Sequence, residues 1–407
     1  PPRSTLFPYT TLFRSPAQAT AAIDCGLVLA DRARDLGLID AVGFRQDFYD
    51  EIKQRYGRDV RIERRYGLDP QPDVDLSSPW GFFKLLGQMA TAGPAFTTPA
   101  VAVIHIEGLI VTGPSDDSPL GENESTGSST IRWALDKALA DTSIRAVVLR
   151  INSPGGSALA SDIIHHTARR VDADKPVIVS MGDMAASGGY YIAAAGQEIF
   201  AQPATIPGSI GVVGGKLIRG GLLEKVGIST WSITRGANAD MFNATRPFTE
   251  SQREHLQGSM LQTYERFKRC VLDTRREKLV GDLESLAGGR IYTGRQALAV
   301  GLVDRLGGLD DAIDRAAEKA GLEEDYDVVT LPAPKTFADV MRMMMGQEDP
   351  DREVGVRTDV SVLETLRPIV GRISPSAARP LARILGRIAL LRSESVLTVM
   401  PFELTWP

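Results

Sequence analysis

Short apolar runs alternate with amphipathic segments along the middle of the chain. The runs at 101–106, 146–151 and 177–181 are almost continuously apolar, which is typical of strands buried on both faces. Between them, 130–140 and 161–171 repeat apolar residues at helical spacing. This order of strands and helices predicts βαβ units and a mostly parallel sheet, so the expected fold class is α/β.

The pattern changes on either side of this region. Residues 17–68 predict helices with a short strand, and the Pro-, Gly-, Ser- and Thr-rich stretch 69–100 predicts a linker. The C-terminal extension, 323–407, lacks the strand–helix rhythm from residue 335 onwards. Within it, RPLARILGRIALLR at 379–392 predicts a basic amphipathic helix, which could pack on a protein surface or lie at a membrane interface.

An internal repeat connects the two ends of the chain. ARDLGLIDAVG at 33–43 aligns without gaps with ALAVGLVDRLG at 297–307, at an offset of 264 residues. Five positions are identical, and both segments follow helical sequence and precede a helix-like run. We therefore predict two copies of one domain, a complete second copy at 101–322 and the C-terminal remnant of a first copy at 17–68.

The segment 1–15, PPRSTLFPYTTLFRS, has no periodicity and no gradual transition into the helical sequence that begins near residue 17. From Thr5 to Ser15 it resembles a translated sequencing adapter, so we do not expect it to belong to the fold. We therefore expect the natural N-terminus, with any targeting segment, to be missing from this sequence. No run reaches the ~18 consecutive apolar residues that a membrane-spanning helix needs.

Composition and charge exclude only a few classes of function. Of the 407 residues, 43% are apolar and 24% charged, which is ordinary for a globular protein. The net charge of −5 provides no basic excess for nucleic acid, so we expect no nucleic-acid partner. Cys25 and Cys270 lie far apart, and a disulfide between them stays open. No spacing of Cys, His, Asp or Glu indicates a metal site.

A first motif of small residues directly follows the predicted strand 146–151. It reads SPGGS at 153–157, and Gly155 and Gly156 permit unusual dihedral angles and close approach of a ligand. Their N–H groups could stabilise a developing oxyanion. The alternative is a simple turn, with Ser157 capping the next helix.

Two further motifs lie at later strand ends. In GDMAASGGY at 182–190, small residues surround the hydroxyl of Ser187, and the N–H of Gly188 is a second candidate oxyanion donor. In PGSIG at 207–211, Ser209 could hydrogen-bond a catalytic group. A helix cap and a glycine turn are the respective structural alternatives.

Together the three motifs, at this spacing, resemble the signal peptide peptidase A family, also called protease IV. The resemblance covers 101–322 strongly and 17–68 as the end of a preceding tandem copy. It implies the Clp-protease/crotonase-like fold, a superhelix of ββα units. The site residues that it implies are Ser187 as catalytic nucleophile, Gly155, Gly156 and Gly188 at the oxyanion, and Ser209 orienting a general-base lysine.

The resemblance also implies an activity and a setting. Members are serine endopeptidases that hydrolyse signal peptides and other hydrophobic or unstructured peptides without a cofactor. Tandem members form a homotetramer associated with the bacterial inner membrane, with the active site on the periplasmic face. We therefore expect peptide substrates, homo-oligomerisation and membrane association.

The position of the general base departs from this resemblance. A serine hydroxyl needs such a base to become a nucleophile. Short family members carry the lysine downstream of the serine, where this chain has Ala239. Tandem members place the lysine in the first copy. Subtracting the offset of 264 from 239 gives −25, so we expect that lysine upstream of residue 1. Lys216 is the best lysine within the chain, and it is a weak substitute.

Two other functions stay open. A chain without its base would be a catalytically inactive, peptidase-like binding or scaffold module. A crotonase-like acyl-CoA enzyme would share the fold and the oxyanion glycines, but it would not need the serine of AASGG at 185–189.

Overall fold

The computed structural model describes residues 15–62, 98–115, 125–322, 325–333 and 396–400. The helices are α1 (Pro16–Asp24), α2 (Ala30–Asp35), α3 (Arg45–Tyr56), α4 (Ser128–Ala140), α5 (Ala158–Asp172), α6 (Gly188–Ala193), α7 (Gly220–Lys225), α8 (Glu250–Arg275), α9 (Leu283–Leu286), α10 (Gly294–Ala299) and α11 (Leu309–Lys319). The strands are β1 (Ala100–Val111), β2 (Ser125–Gly127), β3 (Ile144–Ser157), β4 (Val177–Ala186), β5 (Glu198–Ala201), β6 (Ile206–Gly208), β7 (Val213–Gly214), β8 (Arg305–Leu306), β9 (Asp327–Leu331) and β10 (Val396–Val399).

A single sheet in the order β2-β1-β3-β4-β5-β8 organises the domain. Long strands carry two partners on one edge: β1 pairs with β9 along its first half and with β2 along its second. In the same way β4 pairs with β5 and then with β6. These pairings are all parallel, which confirms the expected α/β class with a mostly parallel sheet.

Both faces of the sheet are covered, which explains why its strands read as continuous apolar runs. Alternate residues of β1 separate to the two faces, because successive side chains of a strand point in opposite directions. Ala102 and Ile104 belong to the larger core cluster, with residues of α4, α5, α6 and α8. Val101 and Val103 pack in a second cluster with buried residues of α11.

Two strands lie beyond residue 322, where we expected the catalytic domain to end. β9 extends β1 in parallel, and β10 pairs antiparallel with the end of β3 and with β7. The C-terminal part of the chain therefore contributes strands to the same sheet. The amphipathic helix that we predicted at 379–392 lies outside the described residues.

The repeated segments have the same local conformation. Helices α2 and α10 are related residue for residue by the offset of 264, and α3 and α11 begin at the same offset. Each short helix ends at a glycine in the left-handed region, Gly37 at φ 72° and Gly301 at φ 80°. A glycine there is the usual helix terminator, since it has no Cβ to clash.

The N-terminal segment 17–62 packs against the larger domain at two places. Asp24 accepts a 2.8 Å hydrogen bond from the N–H of Ala237. On another side, the ring of Phe44 stacks on His166 at 3.8 Å, and Asp47 lies 3.1 Å from the same histidine. Among the described residues, no helix is long and apolar enough to cross a membrane. Cys25 and Cys270 are both free thiols.

Candidate active site

The three small-residue motifs meet at the carboxyl ends of neighbouring strands. The first forms the end of β3, which continues through Ser157 instead of turning after Ile151. The second runs from the end of β4 into α6, and the third runs from the end of β6 into the following loop. The residues of β6 pair with the last residues of β4. Because β3 and β4 are parallel neighbours, their ends lie at the same edge of the sheet. The structure thus brings together residues that are up to 56 positions apart, from Ser153 to Ser209.

Ser187 occupies a strained turn between β4 and α6. Its backbone has φ 50° and ψ −112°, and Ser187 and Ser209 are the two non-glycine residues with positive φ in the described part of the chain. Such a conformation costs of order 1–3 kcal/mol and persists only when neighbouring contacts enforce it. One such contact is the hydrogen bond from Ser187 N–H to Gly208 O, at 2.8 Å. A strained serine between a strand and a helix is the arrangement of a nucleophile elbow.

The predicted oxyanion glycines lie close together beside this turn. Gly155 has φ 99°, and a Cβ placed on it would lie 2.7 Å from Gly188 N. A Cβ on Gly188 would in turn lie 2.6 Å from Ser161 Oγ. Gly155 N–H donates to Ser153 Oγ at 3.1 Å, whereas Gly188 N–H is a first-turn amide of α6 and so has no partner within the helix. Backbone atoms therefore leave no room for a Cβ at Gly155, and a Cβ at Gly188 would have to displace the hydroxyl of Ser161.

Ser209 directly follows Gly208, whose carbonyl group accepts the hydrogen bond from Ser187 N–H. It is 2% exposed and has φ 50°, and its N–H donates to Arg290 O at 2.6 Å. Two residues on, Gly211 O accepts the hydroxyl of Ser187 at 3.4 Å. Carbonyl groups of the loop at 208–211 therefore accept hydrogen bonds from both the main-chain N–H and the hydroxyl of Ser187.

The helix that follows the serine is anchored by two buried tyrosines. Tyr190 OH donates to Leu302 O at 2.7 Å, and Tyr191 OH donates to Asp162 at 2.8 Å. At the other end of the motif, Met184 N–H donates to Asn152 Oδ1 at 3.2 Å, which ties β4 to β3. These bonds fix the segments on both sides of Ser187.

None of the candidate bases bonds to Ser187 in the described structure. Lys216 Nζ donates to Met241 O at 2.8 Å and lies 4.2 Å from the ring centroid of Phe248. Burial lowers the pKa of Lys216, but its amine is directed at Met241. Ala239 is exposed, in the loop that contacts the N-terminal segment 17–62 through Ala237.

Two residues at this site had no role in the sequence analysis. Ser153 Oγ accepts from Gly155 N–H and donates to Gly108 O at 2.6 Å, so it holds the glycine loop in place. Thr398, in β10, is fully buried against Gly155, Gly156 and Gly188. Ser153 could have been found from its place in the SPGGS motif. Thr398 carries no such signal, because it is more than 200 residues away in sequence.

Comparison with known proteins identifies the family of this chain. The family model of peptidase family S49 matches residues 169–323, and that of Clp protease matches residues 123–205. Protease 4 of Salmonella typhi is 33% identical over 318 residues, covering 78% of this chain and 48% of that protein. The chloroplastic serine protease SPPA of Arabidopsis thaliana is 33% identical over 324 residues, covering 77% of this chain and 45% of that protein.

A shorter relative is matched over most of its own length. Putative protease slr0021 of Synechocystis sp. is 39% identical over 220 residues, covering 52% of this chain and 78% of that protein. By contrast, the chain spans about half the length of the two longer relatives. The Clp protease match also confirms the Clp-protease-like fold that the motifs predicted. The chain therefore belongs to peptidase family S49, the family to which its three glycine- and serine-rich motifs pointed.

Proposed function

We propose that this chain carries the nucleophile of a serine endopeptidase that works by a Ser–Lys dyad. Ser187 is the nucleophile, Gly155, Gly156 and Gly188 surround the oxyanion, and Ser209 orients the lysine. The observation that supports this most strongly is the strained turn of Ser187, at φ 50°, beside those glycines. Strain of this kind clusters at active sites, where it holds a reacting group in position.

The chemistry follows from that placement. Ser187 Oγ attacks the carbonyl carbon of the scissile peptide bond, while a neutral lysine amine takes its proton. The resulting oxyanion accepts a hydrogen bond from the N–H of Gly188. When the tetrahedral intermediate collapses, the C–N bond breaks and the leaving amine takes the proton from the lysine. Water then hydrolyses the acyl-enzyme by the same steps, which releases the carboxylate product and restores the serine.

We further propose that the lysine belongs to the first peptidase-like copy. The match of α2 with α10, and of the starts of α3 and α11, at one offset supports two copies of one domain. Ala239 stands where short members have the lysine, and an alanine cannot accept a proton. The remnant of the first copy lies beside that loop, since Asp24 bonds Ala237.

The substrates and the setting are proposed from the family resemblance. Signal peptides and other hydrophobic or unstructured peptides fit a site surrounded by small residues at the end of a sheet. Homo-oligomerisation, as a tetramer, and association with the periplasmic face of the bacterial inner membrane are proposed on the same ground. The division into a remnant at 17–68, a linker at 69–100, a catalytic domain at 101–322 and an extension at 323–407 is part of this proposal.

A second function is favoured by one observation. In the described structure the hydroxyl of Ser187 donates to Gly211 O, and neither a lysine nor a histidine bonds it. This chain by itself would then be a catalytically inactive module that binds peptides without cutting them.

Labelling of Ser187 with a fluorophosphonate separates the two functions. We expect slow labelling of the unchanged chain and much faster labelling of Ala239→Lys, because a general base contributes typically ~10²–10⁴-fold. Ala237→Lys is the matched control, since it places a lysine on the same exposed loop two residues away. In both backgrounds Ser187→Ala should abolish the labelling.

Three results would contradict this proposal. Fast labelling of the unchanged chain would show that the base is already present. Equal rates for Ala239→Lys and Ala237→Lys would show that the lysine position is wrong. An Ala239→Lys chain that stays unlabelled while an added first-copy domain also fails to activate Ser187 would leave the inactive module.

A further inference from the structure

Strand β10 fills a slot between two strand edges beside Ser187. It pairs antiparallel with Gly155–Ser157 on one side and with Val213–Gly214 on the other. Every other pairing between named strands in the described ranges is parallel. Without residues 396–399, β7 would have no strand partner among the described residues, and the end of β3 would expose a free edge. An extended peptide can bind by adding a strand to an exposed edge, and this slot would offer two such edges.

The side chains of β10 also occupy the slot as a bound peptide would. Leu397 and Val399, two residues apart and so on the same face, are 1% and 8% exposed. They pack against Leu109, Val111 and Val213. Beyond the strand, Met400 N–H donates to Pro154 O at 3.0 Å, which continues the alignment along the glycine loop. The slot therefore accepts apolar side chains at alternate positions.

The carbonyl group of Thr398 lies at the predicted oxyanion glycines. Its oxygen is the atom nearest to a Cβ placed on Gly155, and it would lie 3.0 Å from a Cβ placed on Gly188. Ser187, between β4 and α6, is 1% exposed with the strand in place. A carbonyl oxygen this close to both glycines lies in the region where a substrate carbonyl would be held for attack.

We propose that residues 396–399 are a built-in pseudo-substrate that blocks the peptide groove of this chain. The strand must leave before an extended peptide with apolar residues at alternate positions can bind. This inference rests on the proposed function only in naming Ser187 as the nucleophile that the strand covers. Because one segment competes with all peptides, the apparent affinity for any of them is reduced by the fraction of chains in which the groove is open.

A binding experiment on the full chain tests this proposal. The probe is a fluorescein-labelled peptide with the sequence ESVLTVMPF, residues 394–402, followed by fluorescence anisotropy. The double variant Leu397→Asp/Val399→Asp places two charges in the apolar slot and should release the strand. We expect it to bind the probe at least tenfold more tightly than the unchanged chain. Val328→Asp is the matched control, because Val328 is an exposed strand residue of the same sheet, and it should leave the affinity unchanged.

Backbone hydrogen exchange on the same proteins shows whether the strand is released. Amides at 155–157 and 213–214 should exchange slowly in the unchanged chain and quickly in the double variant, while β1 and β4 stay protected. Fast exchange at both places in the unchanged chain would overturn the proposal. So would a double variant that loses the protection without gaining affinity, or one that unfolds, since the strand would then be a structural part of the sheet.

Failure of the catalytic proposal would be seen separately. Neither measurement requires Ser187 to react, and both can be repeated in a Ser187→Ala background. A chain that gains affinity for the probe but whose serine is never labelled would refute the catalytic role and keep the pseudo-substrate.

Discussion

The glycine at the centre of the site offers a sharp test of the geometry. Replacing Gly155 with alanine adds one methyl group at a position with φ 99°. That methyl group would overlap Thr398 O and lie 2.7 Å from Gly188 N, closer than the 3.0 Å that real Cβ atoms keep. Both neighbours are backbone atoms, so neither can move without moving β10 or the turn that holds Ser187.

The expected loss of stability has two parts. A side chain in the left-handed region costs about 1–2 kcal/mol, of which about 0.4–1 kcal/mol is offset because alanine restricts the unfolded chain. Forcing a methyl group into a filled space adds about 1–3 kcal/mol. Gly321→Ala is the matched control, because Gly321 has φ 67° and nothing within 4 Å of the added Cβ. Gly321→Ala should therefore lose stability through the backbone conformation alone, without the steric clash.

The assay is urea unfolding of both variants and of the unchanged chain, followed by circular dichroism. We expect Gly155→Ala to be less stable than Gly321→Ala by about 1–3 kcal/mol, the steric part alone. Because the clash is with Thr398 and Gly188, hydrogen exchange in Gly155→Ala should increase first at 396–400 and 187–190. Equal stability of the two variants would refute the close packing of the three motifs with β10.

Two further predictions concern pH. Burial lowers the pKa of His165 to about 3, so below pH 6.5, the pKa of an unfolded histidine, protonation favours the unfolded state. The free energy of unfolding should therefore fall by about 1.4 kcal/mol per pH unit between pH 6 and pH 4 because of this residue. A His165→Met chain should lack that part of the slope when unfolding is measured at each pH. Hydrogen bonds from Arg315 lower the pKa of Glu198 to about 2, so this ion pair stabilises the fold fully above pH 4.5 and is lost as the pH falls through 2. Glu198→Gln should therefore cost roughly 1 kcal/mol at pH 7, after solvent screening, and much less at pH 2. The same loss at the two pH values would contradict the assignment.

The core strands and the motifs at their ends could be read from sequence because their signals are local. The apolar runs at 101–106, 146–151 and 177–181 all fall within observed strands, since residues buried on both faces must be apolar regardless of what covers them. The small residues around Ser187 were visible for a related reason: a tight turn and a close backbone approach require glycine wherever they occur.

The lengths of the strands were less visible. The SPGGS segment has the composition of a loop, yet it continues β3 to Ser157. Leu109 and Ile110 of β1 pair with Gly155 and Gly156, and those pairings come from a strand almost fifty residues earlier in the chain. Composition could not show that partners would be available there.

By itself, the sequence determined the α/β class, the identity of the strained serine as a candidate nucleophile and the repeat that relates 33–43 to 297–307. Each of these depends on residues near one another in the chain. Only the tertiary structure decided that Ser153 holds the glycine loop, that Lys216 is directed at Met241 and that β10 pairs with β3 and β7. Pairing between segments so distant depends on which edges are left free once the core has formed, and no local pattern of residues records that outcome.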